Sequence, residues 1–170
     1  MSELETRLDT LDGLKLRVRF FEPHGAGRGV LVCTHGLGEH SGRYPHVWRA
    51  FQDAGFALAA YDLRGHGLSE GPRGHSPRYG CLLADLQLVR EAAEQRWPGK
   101  PLFVFGHSMG GQITLQYALD RGEGLAGVVV SAPLIRMKYL PPCWKLRMAN
   151  VLGRFSPRFT QKTPLRDEDL

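Results

Sequence analysis

One stretch decides the fold of this chain of 170 residues: Leu102-Phe103-Val104-Phe105-Gly106-His107-Ser108-Met109-Gly110-Gly111. Its four leading apolar residues predict a buried strand, and the segment from Gln112 to Leu119 is typical of a helix. Between them lies a G-x-S-x-G pattern, in which a serine occupies a sharp turn from strand to helix. Glycines flank Ser108 because such a turn leaves almost no room for side chains. We therefore prefer a structured turn that exposes Ser108 to a chance match in a glycine-rich loop.

Strands and helices alternate on both sides of this turn. The apolar patterns predict strands at 14–20, 30–33, 56–61, 102–105 and 125–130, and helices at 44–54, 81–97 and 109–120. A further strand around 4–8 is joined to the first of these by the turn at Asp12-Gly13. This order predicts an α/β fold, with a mostly parallel, doubly wound sheet covered by helices on both faces and an antiparallel edge from the opening hairpin.

Composition excludes several classes of protein. The formal net charge is +5, and residues 131–166 carry eight Lys and Arg but no acid, so the basic excess belongs to one segment and does not indicate nucleic-acid binding. No apolar run is long enough for a membrane span, and the acidic start lacks the pattern of a signal peptide. The three cysteines have neither metal nor disulfide spacing. These features predict a cytoplasmic protein without a metal or other cofactor.

Ser108 is the candidate nucleophile. A serine hydroxyl needs a base to take its proton and hydrogen-bond donors for the oxyanion that forms when it attacks a carbonyl carbon. One donor is the backbone N–H of Met109, which follows the serine at the start of a helix. The second is the N–H of Leu37, in a glycine-rich loop that follows the third strand. Both donors belong to the backbone, so the prediction depends on loop geometry.

Three blocks of sequence closely resemble the α/β-hydrolase superfamily, and within it the monoacylglycerol lipase and lysophospholipase branch. They are residues 35–44 (HGLGEHSGRY), 62–71 (DLRGHGLSEG) and 106–111 (GHSMGG). The resemblance implies the α/β-hydrolase fold and a small-molecule lipid ester as substrate, a glycerol mono-ester of a fatty acid. It also implies that Gly36, Glu39 and Arg43 bind substrate, the last two near the glycerol.

The chain departs from that family in its last part. In this fold the acid and the histidine of the catalytic triad follow the serine, whereas all seven histidines here precede Ser108. We therefore expect that both triad partners are absent from this chain, and that it corresponds to the first six strands of the core (1–132) and the beginning of a cap (133–170). A sheet that stops after its sixth strand would leave an apolar edge open to association with a partner.

Several alternatives stay open at this stage. Lysophospholipase, thioesterase and general carboxylesterase activity fit the same motifs, and so does a catalytically incomplete scaffold. The segment 136–159 mixes apolar and basic residues, which is typical either of a lid in peripheral contact with an anionic membrane or of a cap helix packed on the core. His35, Glu39 and His40 have no metal-binding spacing. We expect Asp62 to satisfy amides of the glycine loop that follows it, rather than to act in catalysis.

Overall fold

The computed structural model describes residues 3–136 and 142–155. Its strands are β1 (Glu3–Asp9), β2 (Lys15–Phe21), β3 (Gly29–Thr34), β4 (Phe56–Tyr61), β5 (Leu102–His107) and β6 (Gly127–Ser131). Its helices are α1 (Pro45–Asp53), α2 (Tyr79–Arg96), α3 (Met109–Arg121) and α4 (Cys143–Phe155), with a 3₁₀ turn at Ser41–Arg43. Each predicted strand and helix among these residues is present, and most bounds shift by one or two residues.

The six strands form a single sheet in the order β1-β2-β4-β3-β5-β6. β3 pairs in parallel with β4 and β5, and β5 pairs in parallel with β6. The opening hairpin of β1 and β2 adds the antiparallel part, and β2 pairs antiparallel with β4. Gly13, at φ +84, allows the tight turn of that hairpin. The predicted doubly wound sheet with an antiparallel edge is confirmed.

Helices cover both faces of the sheet because the central strands are apolar on both sides. In β3, Val30 and Val32 join the core cluster that also contains Leu86 of α2 and Ile113 of α3. Leu31 and Cys33 alternate with them and join the second cluster, which contains Trp48 of α1. A continuous apolar run is therefore required in this strand, since successive side chains point to opposite faces.

Helix α2 departs from the prediction on its polar side. Arg90 is a charged residue in a sequence pattern typical of an amphipathic helix, but it is buried, with 9% of its surface exposed. Its guanidinium donates hydrogen bonds to the backbone carbonyls of Arg121 and Glu123, at 3.2 and 2.9 Å. The side chain thus supplies partners for carbonyl groups at the end of α3, which a sequence pattern within one helix does not reveal.

Strand β6 forms one end of the sheet and is only partly covered. Val128 and Val129 are each 40% exposed, as expected for an edge strand. The chain divides into two compact units, Met1–Leu134 and Ile135–Leu170, and α4 is the helix described in the second. No helix of the described ranges has the length and apolar character needed to cross a membrane.

Candidate active site

Ser108 lies in the turn between β5 and α3 with an unusual backbone conformation. Its φ is 51° and its ψ is −117°, in a region of positive φ that residues other than glycine rarely adopt. Its N–H donates to the carbonyl of Ser131 at 3.0 Å, and its own carbonyl accepts from Gln112 and Leu134 at 3.1 and 3.0 Å. These three bonds hold the strained turn between two strand ends and the first turn of α3.

The two glycines of the motif are required by close packing. A Cβ on Gly106 would lie 2.5 Å from the hydroxyl oxygen of Thr114 and would also clash with the backbone of Gly110. A Cβ on Gly110 would clash with the carbonyl oxygens of Thr34 and His35. Helix α3 therefore approaches the end of β3 more closely than a side chain at position 110 would allow. The sequence predicted that the residues beside the serine must be this small.

The loop after β3 lies directly beside Ser108. A Cβ built on Gly36 would lie 3.3 Å from the Cβ of Ser108 and 2.9 Å from Oε2 of Glu39. Leu37, the next residue, is 55% exposed. Within residues 3–136 and 142–155, neither the amide of Leu37 nor that of Met109 donates to a protein acceptor. The structure thus brings together the serine and the loop that carries one of its two predicted donors.

Glu39 is engaged by its own loop. Its Oε2 accepts from the backbone N–H of Gly36 at 3.0 Å and from the hydroxyl of Tyr44, and its Oε1 accepts from Arg43 at 3.3 Å. Burial by itself would raise the pKa of Glu39, but the hydrogen bonds from Tyr44 and Gly36 outweigh it and lower the pKa. The carboxylate therefore stays ionised. Sequence reasoning missed the part played by Tyr44, although it lies in the motif that suggested the family.

A concave surface adjoins this cluster. Its volume is about 320 Å³, and the residues that line it are Glu39, Arg43, Tyr44, His46, Val47, Phe105, His107 and Ser131. The Nδ1 of His107 lies 3.2 Å from the hydroxyl of Ser131, so this ring is turned toward β6. Two of the predicted substrate-binding residues, Glu39 and Arg43, thus line a cavity of mixed polar and apolar character, whose wall includes His107, the neighbour of Ser108 in sequence. The sequence did not predict that Ser131 lines this cavity, because its position at the end of a strand is the only feature of the sequence that would suggest it.

Asp62 has the structural role that was expected. It accepts from the N–H of Ser41 at 2.7 Å and from the N–H of Leu68 at 2.9 Å. Burial favours a raised pKa for Asp62, but the hydrogen bonds from Leu68 and Ser41 more than offset it, so the pKa is lowered. This carboxylate fastens the glycine loop to the turn before α1.

A larger cavity lies away from Ser108. Its volume is about 450 Å³, and it is lined by residues 9–12 of the hairpin, by α2 between Gly80 and Glu91, and by Arg64, Arg78 and Arg121. Arg64, at 2% exposure, donates to Asp85 and to Asp12 at 2.7 Å each. The guanidinium and the two carboxylates are thus hydrogen-bonded to one another, which is typical of an ion-pair network with a structural role. Across the described ranges, no group of three or more His, Cys, Asp or Glu side chains is arranged to hold a metal ion.

The fold and this turn define the class of the protein. A parallel sheet with helices on both faces, and a serine in a strained turn from the fifth strand to a helix, are the features of an α/β hydrolase. The family Hydrolase_4, described as serine aminopeptidase, S33, matches residues 25–169, and the chain belongs to this family.

Relatives and solved structures of this class are similar over part of their length. An uncharacterized abhydrolase domain-containing protein of Dictyostelium discoideum is 40% identical over 161 residues, which are 94% of this chain and 17% of that protein. The monoglyceride lipase of Homo sapiens is 36% identical over 124 residues, 73% of this chain and 41% of the lipase. A thermostable carboxyl esterase from Bacillus coagulans, solved with glycerol, has a TM-score of 0.78 at 30% identity, covering 91% of this chain and 51% of that one. The chain therefore spans about half or less of the length of these proteins.

Proposed function

We propose that this chain carries the nucleophile and the oxyanion site of a serine ester hydrolase. The observation that supports this most is the strained turn at Ser108 beside the loop of Gly36 and Leu37, with two backbone amides that have no acceptor in the described part of the protein. Strain of this kind persists at sites where it serves function. The names of the similar proteins, a monoglyceride lipase and a carboxyl esterase, agree with this class of reaction.

In the proposed reaction, Oγ of Ser108 attacks the ester carbonyl carbon and its proton passes to a general base. The carbonyl oxygen becomes an oxyanion, which accepts from the amides of Leu37 and Met109. Collapse of this intermediate breaks the bond to the alcohol, which leaves with the proton from the base. Water then attacks the acyl-enzyme by the same route and releases the carboxylic acid.

The general base and its acid partner are proposed to come from residues outside this chain. In the described ranges, the hydroxyl of Ser108 is not hydrogen bonded to a histidine or a carboxylate. All seven histidines of the sequence precede Ser108, whereas in this fold the triad histidine follows the serine. A catalytically incomplete scaffold is the second candidate function, and the same observation favours it.

The substrate is proposed to be a monoacylglycerol-like lipid ester. The cavity lined by Glu39 and Arg43 offers charged groups to an alcohol that bears free hydroxyls, as glycerol does. Glu39 is already held by Gly36, Tyr44 and Arg43, so Arg43 is the better candidate for direct contact. Lysophospholipase, thioesterase and general carboxylesterase activity remain the alternatives for the same serine, because they differ only in the groups on either side of the reacting carbonyl.

Residues from 133 onward are proposed to begin a cap segment that makes peripheral contact with an anionic lipid surface. On α4, Trp144, Met148, Val151 and Leu152 are exposed and recur at the spacing of one helix face. Lys145 and Arg147 are exposed on the same helix. Packing of this face against protein is the competing explanation. Association through the β6 edge is a further proposal, supported by the exposure of Val128 and Val129.

Covalent labelling tests the proposed nucleophile. The full chain is treated with a fluorophosphonate and its intact mass is measured, beside Ser108→Ala and the control Ser76→Ala, which removes a serine from the loop before α2. We expect a single adduct that is lost in Ser108→Ala and kept in Ser76→Ala. An unmodified mass at all reaction times would mean that Ser108 is not activated in this chain, and the second candidate would replace the first.

A further inference from the structure

His35 is a buried side chain that the proposed reaction does not use. It directly follows β3, is 2% exposed, and lies at the start of the loop that carries Leu37. Its Nδ1 lies 2.7 Å from the carbonyl oxygen of Gly36, and its Nε2 lies 2.9 Å from the backbone nitrogen of Leu63, in the loop after β4. Both ring nitrogens therefore have a backbone partner.

These two partners determine where the ring proton lies. The carbonyl oxygen of Gly36 can only accept a hydrogen bond, so Nδ1 must carry a proton and donate it. The N–H of Leu63 can only donate, so Nε2 must be unprotonated and accept. His35 is thus a neutral imidazole with its proton on Nδ1. A second proton on Nε2 would break the bond from Leu63.

The carbonyl of Gly36 belongs to the same peptide unit as the N–H of Leu37. No cis peptide bond occurs among the described residues, so these two groups point in opposite directions from one plane. A ring that holds the carbonyl on one side therefore directs the Leu37 N–H to the other. On the preceding peptide, Oε2 of Glu39 accepts from the N–H of Gly36 at 3.0 Å. The backbone of Gly36 is thus held at both of its polar groups, next to Ser108.

We propose that His35 is a positioning residue that orients the Gly36–Leu37 peptide so that the Leu37 N–H faces the oxyanion. This inference rests on the proposed function, because it takes Leu37 as one of the two oxyanion donors. Among the described residues, the hydrogen-bond partners of the His35 ring are the backbone groups of Gly36 and Leu63 and not Ser108. His35 acts through the peptide, and its hydrogen bond from Leu63 anchors the ring to the loop that follows the neighbouring strand β4.

The surroundings of the ring agree with a neutral state. His66 lies nearest, with 5.4 Å between ring centroids, and Asp62 and Glu39 are the acidic groups that act on the ring. The pKa of His35 is lowered to about 4, mainly because the ring is buried; the bond to Gly36 opposes this effect, and the neighbouring His66 adds to it. The ring therefore keeps a single proton at neutral pH, as the two hydrogen bonds require.

Two substitutions of His35 each remove one of its two hydrogen bonds and keep the other. In His35→Asn the amide NH₂ stands near the position of Nδ1 and can still donate to Gly36, whereas the acceptor for Leu63 is lost. In His35→Gln the amide oxygen reaches the position of Nε2 and can accept from Leu63, whereas the donor to Gly36 is lost. His75→Asn, in the loop before α2, is the matched control. Thermal unfolding of each full-length variant establishes whether it is folded.

The proposal is tested by crystal structures of the variants and by their rates of fluorophosphonate labelling. We expect the Gly36–Leu37 peptide to keep its orientation in His35→Asn and to turn in His35→Gln. We expect labelling of Ser108 to be slower by as much as ~10²-fold in His35→Gln and by less than ~10-fold in His35→Asn, since loss of one oxyanion donor costs about 10²–10³ in rate. A peptide unchanged in His35→Gln, or equal rates in both variants, would overturn the proposal.

Failure of the proposed function would give a different experimental result from failure of the His35 proposal. If Ser108 takes no label even in the unsubstituted chain, the serine is not activated in this chain, but the orientation of the peptide in the two variants still decides the role of His35. If His35→Gln does not fold, nitrogen NMR of the imidazole in the unsubstituted chain measures which ring nitrogen carries the proton. A proton on Nδ1, together with an unturned peptide in His35→Asn, supports the proposal, and a proton on Nε2 overturns it.

Discussion

Ser108 shows how much of the site depends on single residues. Its left-handed conformation, at φ 51°, is stabilised by hydrogen bonds to Ser131, Gln112 and Leu134. The sequence predicted the turn because glycines flank the serine, and the packing around Gly106 and Gly110 gives the reason. Ala132 also has a positive φ, of 43°, and this was not predicted, because alanine carries no signal for such a conformation.

The roles of His35 and Glu39 could not be read from the sequence. Both residues lie in the motif that suggested the family, but their partners do not follow from spacing. The acceptor role of the His35 ring depends on Leu63, 28 residues away, which approaches only because β3 and β4 pair in parallel. Glu39 was expected near the substrate, and its contact with the N–H of Gly36 depends on the loop's fold.

The protonation of His35 predicts a dependence of stability on pH. Its pKa is lowered to about 4 in the folded chain, against an ordinary value of about 6.5 when unfolded. The unfolded chain therefore binds the proton first, so the stability due to neutral His35 is complete above pH ~6.5 and is lost as the pH falls toward ~4. The free energy of unfolding should drop by about 2–3 kcal/mol from this group over that interval.

The measurement compares denaturant unfolding of the unsubstituted chain and of His35→Asn at several pH values. The carboxylates near the ring, Asp62 and Glu39, and its neighbour His66 are present in both, so the difference between the two curves isolates His35. The unsubstituted chain should lose more stability on acidification than the variant. Parallel curves from neutral pH to pH ~4 would mean that His35 is not held neutral by burial.

At the scale of elements, the periodicity of the sequence predicted most of the structure. The strand β4 was placed at Phe56–Tyr61 with both of its bounds correct, because an apolar run between Gly55 and Asp62 leaves little choice. Helix α2 was also predicted, but the burial of Arg90 was not. Its partners are the carbonyls of Arg121 and Glu123, which belong to the end of another helix. The pattern of apolar and polar residues within α2 does not predict contacts that α2 makes with another part of the chain.

Helix α4 allows a test of the proposed membrane contact. Its exposed apolar residues and its basic residues Lys145 and Arg147 are typical of a helix that lies on an anionic lipid surface. Replacing both basic residues by Glu should reduce binding of the chain to vesicles that contain anionic lipid, by roughly 1 kcal/mol or more per charge. Vesicle cosedimentation at low and physiological salt measures the effect.

The matched control for this test lies in the other unit. Arg73→Glu and Arg78→Glu, in the loop before α2, change the net charge by the same amount without altering α4. We expect the control to bind anionic vesicles nearly as well as the unsubstituted chain. Equal binding by all three proteins would remove the membrane proposal and favour packing of α4 against protein.

For the whole molecule, the mostly parallel sheet and the position of Ser108 at the carboxyl end of β5 were expected from the alternation of strands and helices, whereas the order of the strands in the sheet was not predicted. The chain nevertheless covers only 41% of the human monoglyceride lipase and 51% of the carboxyl esterase that it resembles. Ser108 and the two backbone amides are thus the part of the proposed active site that experiments on this chain can test directly. A base supplied from elsewhere would change the rate of attack by Ser108, but not the direction of the Leu37 and Met109 amides.

The most direct measurement is therefore a crystal structure of the chain after prolonged reaction with a phosphonate ester. The account predicts that phosphorus is bonded to Oγ of Ser108, with the phosphonyl oxygen at ~2.7–3.1 Å from the backbone nitrogens of Leu37 and Met109. An adduct on a different residue, or a phosphonyl oxygen directed away from both amides, would contradict it.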